Sequence, residues 1–196
     1  MQSAINRKNG TLQDPPFVKF LFSDTRAAWF WLIVRLWLGW KWIDASLHKI
    51  NSPAWVESGD AVKGFWTGAV AIPEVGRPAI AFDWYRDFLQ MLLNAEAYTW
   101  MAPLIAYGEM LVGVALILGA FTGFAAFFGA LMNWNFMMAG TASSNPLLFV
   151  AAIGIIMAWK VSGYIGLDFF LLRWIGTPWQ AKEPTPELAV AGAAAD

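Results

Sequence analysis

The chain contains no cysteine and only one histidine in 196 residues. Without cysteine it cannot form a disulfide, hold an iron–sulfur cluster through thiolates or attach a c-type haem. One histidine leaves no intrachain pair for a bis-histidine haem. Any redox chemistry must therefore use a diffusible cofactor, a partner subunit or the substrates themselves, and we predict no bound metal or haem.

Charge is also scarce. Charged residues make up 14% of the chain, whereas 58% of the residues are hydrophobic and thirteen are tryptophan. A water-soluble domain of this size could hardly cover so many apolar side chains with polar surface, so the composition indicates a membrane protein. The net charge of -1, with no clustered basic face, argues against a nucleic-acid partner.

Four apolar segments are predicted to be membrane-spanning helices, since each has the length and low charge that a bilayer requires. Residues 100–140 are twice as long as one span, so they are predicted to fold back at a turn supplied by Gly119 and Gly123. The predicted spans cover residues 27–47, 100–119, 122–140 and 146–163. The predicted fold is therefore all-α, a single integral membrane four-helix bundle.

The segment 51–99, between the first two spans, carries too many large apolar side chains for a flexible linker. Within it, FDWYRDFLQMLLN predicts an amphipathic helix, and we expect a partly helical lid over the outer mouth of the bundle. Basic residues cluster near both termini, whereas acids outnumber bases in the lid. This predicts a multi-pass protein of the cell membrane with cytoplasmic termini and an external lid. The tail, about 180–196, is predicted to be disordered.

The charged residues of the first span divide between two helix faces. One face carries Arg35, Gly39, Trp42, Ser46 and Lys49, and roughly the opposite face carries Lys41, Asp44 and His48. Asp44 is three residues from Lys41 and four from His48, so the second set can pair within its own helix. His48 is either a structural hydrogen-bonding residue or, next to Asp44, a group tuned for proton transfer.

Arg35 has no partner in its own span, and Glu109 is the only acid in the second span. Burying an arginine unpaired in a membrane costs at least about 2.5 kcal/mol, so we predict an ion pair between the two. One interpretation is that this pair only pins two helices together. The other is an intramembrane polar site that binds a quinone carbonyl or relays a proton.

Asn133 and Asn135 lie about 200° apart on a helix and therefore face different neighbours. We expect at least one to hydrogen-bond between helices, which leaves the other able to bind a ligand. Lys49, together with lid cations, is a candidate for attracting a small anion. Glycines that permit close helix contact are expected at Gly108, Gly113 and Gly129.

Five longer stretches carry a resemblance to a known family. They are RLWLGWKWIDASLHKI, AWVESGDAVKGFWTGAVAIPEVGRPAIAFDWYRDFLQ, GEMLVGVALILGAFTGFAAFFGALMNWNFMMAG, ASSNPLLF and AWKVSGYIGLD. Together they resemble the DoxX/DoxD family, in particular its large subunits of thiosulfate:quinone oxidoreductase, from Phe17 to Trp179. The resemblance implies a four-helix membrane subunit that helps to oxidise thiosulfate to tetrathionate and passes two electrons to a membrane quinone, accompanied by a small second subunit.

The resemblance supplies the substrates, and the depth order of the charged residues, with Arg35 deep and His48 and Lys49 shallow, suggests where they bind. We expect a quinone headgroup near Arg35, Glu109 and one of the two asparagines, while thiosulfate approaches Lys49 from outside. The candidate catalytic residues are Arg35, Glu109, His48 and Asp44, and the candidate binding residues are Lys49, Asn133 and Asn135. The expected partners are membrane lipid, quinone, thiosulfate, and a small subunit or further copies of the chain. Two alternatives remain: a non-catalytic structural or assembly subunit of a larger respiratory or photosynthetic complex, and a small-anion transporter, which the few polar residues favour least.

Overall fold

The computed structural model describes residues 5–6, 11–12 and 14–175. Apart from an antiparallel pair of two-residue strands, β1 (Ile5–Asn6) and β2 (Thr11–Leu12), it is helical. The helices are α1 (Pro16–Ser23), α2 (Ala28–Ile50), α3 (Pro53–Val56), α4 (Asp60–Val70), α5 (Asp83–Asn94), α6 (Tyr98–Leu118), α7 (Thr122–Met138), α8 (Asn145–Met157), α9 (Trp159–Ser162) and α10 (Asp168–Ile175). The all-α prediction is confirmed. The tail predicted to be disordered, 180–196, lies outside the described residues.

Four long helices occupy the four apolar segments. α2 packs against α6 and α8, and α7 packs against the same two helices. Within residues 14–175, α6 alone is long and apolar enough to span a membrane by itself, while α8 is apolar but shorter. α2 is longer than α6 but carries Arg35, Lys41 and Asp44 within its apolar run.

α2 and α6 run antiparallel and touch through glycines. A Cβ atom on Gly113 would lie 2.8 Å from the carbonyl oxygen of Gly39, and one on Gly39 would lie 2.9 Å from that of Gly113. Seven residues further along α2, the Ser46 hydroxyl donates to the Ala106 carbonyl at 2.7 Å. These two contacts fix the register, with Gly39 level with Gly113 and Ser46 level with Ala106.

The other glycine predictions have mixed outcomes. Gly129 does allow close contact, since a Cβ there would lie 3.0 Å from Trp42 Nε1. Gly108 has nothing within 4 Å of its Cβ position, so that prediction is wrong. Gly119 forms the α6–α7 turn with a φ of +67°, but Phe121, at φ 48°, completes it instead of Gly123. Gly123 lies inside α7, because the helix already begins at Thr122.

The 51–99 segment folds over one end of the four helices. α3 and α4 pack on α6, and α5 packs on α4. These helices share a second apolar core with the adjoining ends of α6 and α7, formed by Val62, Trp66, Ala69, Ile80, Tyr85, Leu89, Ala97, Tyr98, Ala102 and Ala139. We call the 51–99 segment the lid. The main core, between the long helices, includes Trp31, Leu38, Trp42, Leu116 and Ile155.

Replacing Gly113 by alanine tests the α2–α6 contact. The added methyl group meets the Gly39 carbonyl, so the helices must separate, and we expect a loss of about 1–3 kcal/mol in the free energy of unfolding. Gly108→Ala, on the same helix, adds its methyl group to open space and should gain up to about 1 kcal/mol from helix propensity. Denaturant unfolding followed by circular dichroism measures both. Equal effects of the two substitutions would contradict the proposed contact.

Candidate functional site

Arg35 does not contact Glu109. Its guanidinium donates from Nη1 to the Ser162 carbonyl at 2.9 Å and from Nη2 to the Ile165 carbonyl at 2.7 Å. The residue is 1% exposed. Glu109 is paired with Lys49 instead, so the predicted Arg35–Glu109 ion pair is wrong.

Helix geometry explains this correction. Side chains on a helix lean toward its N-terminus, and α2 and α6 run in opposite directions. Arg35 therefore extends away from the lid, whereas Glu109 extends toward it. The register of the two helices also places Glu109 level with Ile43, about 12 Å along α2 from Arg35 at 1.5 Å per residue.

Arg35 and Asp168 are the centre of a buried set of contacts at the end of the bundle that lies opposite the lid. We call this set the structural lock. Arg35 is enclosed so closely that a Cβ on Gly166 would lie 2.7 Å from Nη1. Asp168 attracts the guanidinium and accepts hydrogen bonds from the backbone N–H groups of Phe121 at 2.6 Å and Thr122 at 2.8 Å. The lock therefore joins α2, the start of α7 and the stretch from the end of α9 to the start of α10. Sequence reasoning missed Asp168, although it too is an acid inside an apolar run.

Lys49 and Glu109 form a buried ion pair beneath the lid. Lys49 Nζ lies 2.5 Å from Glu109 Oε2, and the two side chains are 17% and 1% exposed. Lys49 comes from the last turn of α2 and extends back along it, so it meets the Glu109 side chain approaching from α6. The ammonium also lies 5.2 Å from the centre of the Trp55 ring and 6.0 Å from that of Phe136. These rings shield the pair and stabilise its cation.

The two asparagines face different surroundings. Asn135 Oδ1 accepts a hydrogen bond from the Tyr85 hydroxyl at 3.0 Å, so it links α7 to the lid. Asn133 is fully buried, and neither its amide oxygen nor its amide nitrogen has a hydrogen-bond partner within the described part of the chain. Burying a polar group without a hydrogen-bond partner costs about 1–3 kcal/mol of stability. Since most buried polar groups in proteins have a partner, the Asn133 amide is unusual, whereas Asn135 is not.

A second unpartnered donor lies nearby. Trp42 Nε1 is buried without a hydrogen-bond partner among the described residues and lies against Gly129 of α7. Asn133 follows Gly129 by one helical turn, and Gly129 also packs against Val112, which follows Glu109 by three residues on α6. Three helices thus bring an indole N–H, a primary amide and a carboxylate to one stretch of the interior. Such a set can hydrogen-bond a small polar group, such as a carbonyl oxygen.

Asp44 and His48 lie outside this interior. Their side chains are 53% and 83% exposed, and His48 Nε2 lies 3.9 Å from Asp44 Oδ1. Lys41, on the same exposed face, takes part in none of the ion pairs within residues 14–175. The prediction of an internally paired set is therefore correct for Asp44 and His48 but wrong for Lys41.

Of the seven predicted site residues, the structure brings three to the interior beneath the lid: Lys49, Glu109 and Asn133. Arg35 lies at the other end, Asn135 faces the lid, and Asp44 and His48 face outward. Within the ranges that the structure describes, no three His, Cys, Asp or Glu side chains are grouped to hold a metal ion.

The fold and site define an all-α protein with a polar interior beneath a folded lid. No protein-family model, curated protein or solved structure matches the chain. The resemblance to the DoxX/DoxD family therefore stays a prediction.

A double-mutant cycle tests the buried ion pair. Glu109→Gln or Lys49→Met alone leaves one charge buried without its partner, so each should lower the free energy of unfolding by about 3–5 kcal/mol. The double substitution removes both charges and should lose less than the sum of the two. The pair of Arg26 and Asp24, whose side chains are 78% and 28% exposed, provides a control cycle, with an expected coupling well below that of the buried pair because water screens exposed charges. Additive losses at Lys49 and Glu109 would show that the two side chains do not interact.

Titration of Tyr85 tests the anchoring of the lid. Burial raises the pKa of Tyr85 from 10.0 to about 12, because the packed lid disfavours the tyrosinate. The stability gained from the neutral hydroxyl is therefore complete below pH 10 and is lost as the pH rises through about 12. Ultraviolet absorbance should show a tyrosinate component near that upper value that Tyr85→Phe removes. A component unchanged by the substitution would contradict the burial of this hydroxyl.

Proposed function

We propose that the chain is an integral membrane protein whose spans are α2, α6, α7 and α8. The distribution of side chains supports this, because the interior holds polar groups and the outer faces are apolar. The buried polar residues are Arg35, Ser46, Glu109, Thr122, Asn133, Ser162 and Asp168. Exposed large apolar residues on the four helices include Trp29, Ile33, Trp40, Leu104, Leu111, Phe124, Phe127, Phe128, Leu147 and Val150. Water-soluble proteins rarely expose continuous apolar surface on this scale.

The lengths of α2 and α6 and the placement of charge agree with this proposal. At 1.5 Å per residue, α2 and α6 are about 34 and 31 Å long, close to the roughly 30 Å of a bilayer core. Arg35 and Glu109 are compensated inside the bundle rather than facing outward. In the proposed orientation the termini are cytoplasmic and the lid is external at the cell membrane, following the excess of basic residues near the termini.

We further propose that the chain is a membrane subunit of a thiosulfate:quinone oxidoreductase. In that reaction two thiosulfate ions join as tetrathionate and release two electrons, which a quinone takes up with two protons. Within the described part of the chain, buried atoms without a partner also occur at Arg35 Nε, Arg86 Nε and Thr122 Oγ1. The observation that carries the proposal is that Trp42 Nε1 and the Asn133 amide, both unpartnered, lie on the same stretch of interior as Glu109. These donors suit a quinone carbonyl, and a protein that needed them only for packing would do better with apolar side chains.

The residues beneath the lid have separate roles in this proposal. Trp42 and Asn133 hold the carbonyl by hydrogen bonds, and Glu109 exchanges protons while Lys49 balances its charge. Thiosulfate approaches from the lid side, where Lys49 is 17% exposed. Arg35, Asp44 and His48 have no part in the chemistry, since the lock uses Arg35 and the other two face outward.

Leucine substitution of each asparagine tests the proposal. Asn133→Leu removes an unsatisfied amide, so the protein should keep or gain stability while thiosulfate-dependent quinone reduction in membranes falls at least about tenfold, the equivalent of 1.4 kcal/mol. Asn135→Leu removes the bond to Tyr85 instead and should lower stability while activity per folded molecule persists. Full activity in folded Asn133→Leu protein would overturn this site.

The alternative is a structural or assembly subunit without turnover. The large number of exposed aromatic rings, such as Trp100 and Phe124, favours it, since these rings can bind neighbouring subunits as well as lipid. Purification in mild detergent distinguishes the two functions. Stoichiometric partners together with no quinone reduction by either the purified chain or the complex would favour the assembly subunit.

A further inference from the structure

One outward face of the proposed bundle is not apolar. Lys41, Asp44 and His48 form a polar stripe on α2, which we call the Lys41 stripe, and all three are exposed. Phe30 and Trp37 continue the stripe toward the start of the helix and are also exposed. α6, α7 and α8 carry no Asp, Glu, Lys or Arg on their exposed faces. On the four long helices, the Lys41 stripe is therefore the place where charged residues replace apolar ones on the outer surface.

In the proposed orientation Lys41 and Asp44 lie within the outer half of the bilayer core, and His48 lies near its edge. Lys41 and Asp44 fall between Gly39 and Ser46, which contact the middle part of α6 at Gly113 and Ala106. Measured from the middle of α2, Asp44 is displaced by about 7.5 Å, roughly half the distance to the edge of the hydrocarbon. A charged side chain facing lipid is disfavoured by about 2.5–3.5 kcal/mol at the bilayer centre and by less toward the interface. Contact with another polypeptide would remove Lys41 and Asp44 from lipid.

We propose that the Lys41 stripe is the interface with a second copy of this chain, packed with parallel α2 helices about a two-fold axis along the membrane normal. The stripe is self-complementary, because a cation and an anion lie three residues apart, about 4.5 Å along the helix. Around such an axis Lys41 meets Asp44 of the partner subunit, and the symmetry makes this contact twice. The inference rests on the proposed membrane placement but is independent of quinone chemistry.

Charge reversal with two affinity tags tests this interface. Wild-type chains with different tags should co-purify from mild detergent. Lys41→Asp alone and Asp44→Lys alone place like charges opposite each other, so self-association should fall at least about tenfold in each. Co-expression of the two single variants should restore mixed pairs, and the double substitution within one chain should restore self-association. Arg77→Asp, which reverses an exposed lid cation, is the control and should change nothing.

Cross-linking provides a second measurement, because the chain has no native cysteine. Trp37→Cys, on the Lys41 stripe, should form an intermolecular disulfide in oxidised membranes. Leu111→Cys, on the outward face of α6, should remain monomeric although it is 71% exposed. Equal cross-linking at both positions would indicate random collision and would count against the interface.

The remaining outcomes distinguish failure of the second-copy interface from failure of the proposed membrane placement. Release of the chain from membranes by alkaline carbonate would overturn the membrane placement itself. A chain that stays embedded but is monomeric in all tagged pairs would overturn only the second-copy interface. Loss of a different protein from both single variants, without rescue by the double substitution, would assign the stripe to a partner of another sequence and would also overturn it.

Discussion

α2 and α6 approach so closely at Gly39 and Gly113 that neither position has room for a side chain. This contact sets the height of each polar residue on one helix relative to the other. It brings Ser46 to the Ala106 carbonyl and lets Lys49 reach Glu109. It also leaves Arg35 beside the α6–α7 turn, where the guanidinium binds the carbonyls of the segment before α10. The contacts between the polar residues of α2 and α6 therefore require glycine at both positions.

The interior polar groups differ in how fully they are satisfied. At one end, Arg35 and Asp168 make four hydrogen bonds to backbone carbonyl and N–H groups, while Arg35 Nε and Thr122 Oγ1 there have no partner among the described residues. Beneath the lid, Lys49 and Glu109 satisfy each other. Between these two levels, Trp42 and Asn133 have no partners. Satisfied groups stabilise a fold, whereas unsatisfied groups reduce its stability unless a ligand or water completes them. The two regions therefore differ in degree: Arg35 and Asp168 keep most of their hydrogen bonds, whereas the Asn133 amide has none within residues 14–175.

Periodicity predicted which residues share a helix face but not which residues meet. Arg35, Gly39, Trp42 and Ser46 lie on one face of α2 as predicted, because helical repeat depends only on local geometry, and the structure shows that this face is buried. The predicted partner of Glu109, Arg35, was wrong. The true partner depends on the register and direction of two helices, and the pattern of a single helix contains neither. Tyr85 could not be predicted as the partner of Asn135 for the same reason, since it comes from the lid, 50 residues away.

The two faces of α2 show why one helix can serve two different purposes. Its inner face carries Arg35 and Lys49. The Arg35 guanidinium donates to two backbone carbonyls, and the Lys49 ammonium is paired with the Glu109 carboxylate. Its outer face carries Lys41 without an ion-pair partner in residues 14–175. In water that difference would have little consequence, because exposed charges are well solvated. In a bilayer such a charge is disfavoured at the lipid surface, so the proposed membrane placement and the proposed covering of the Lys41 stripe rest on the same electrostatic argument.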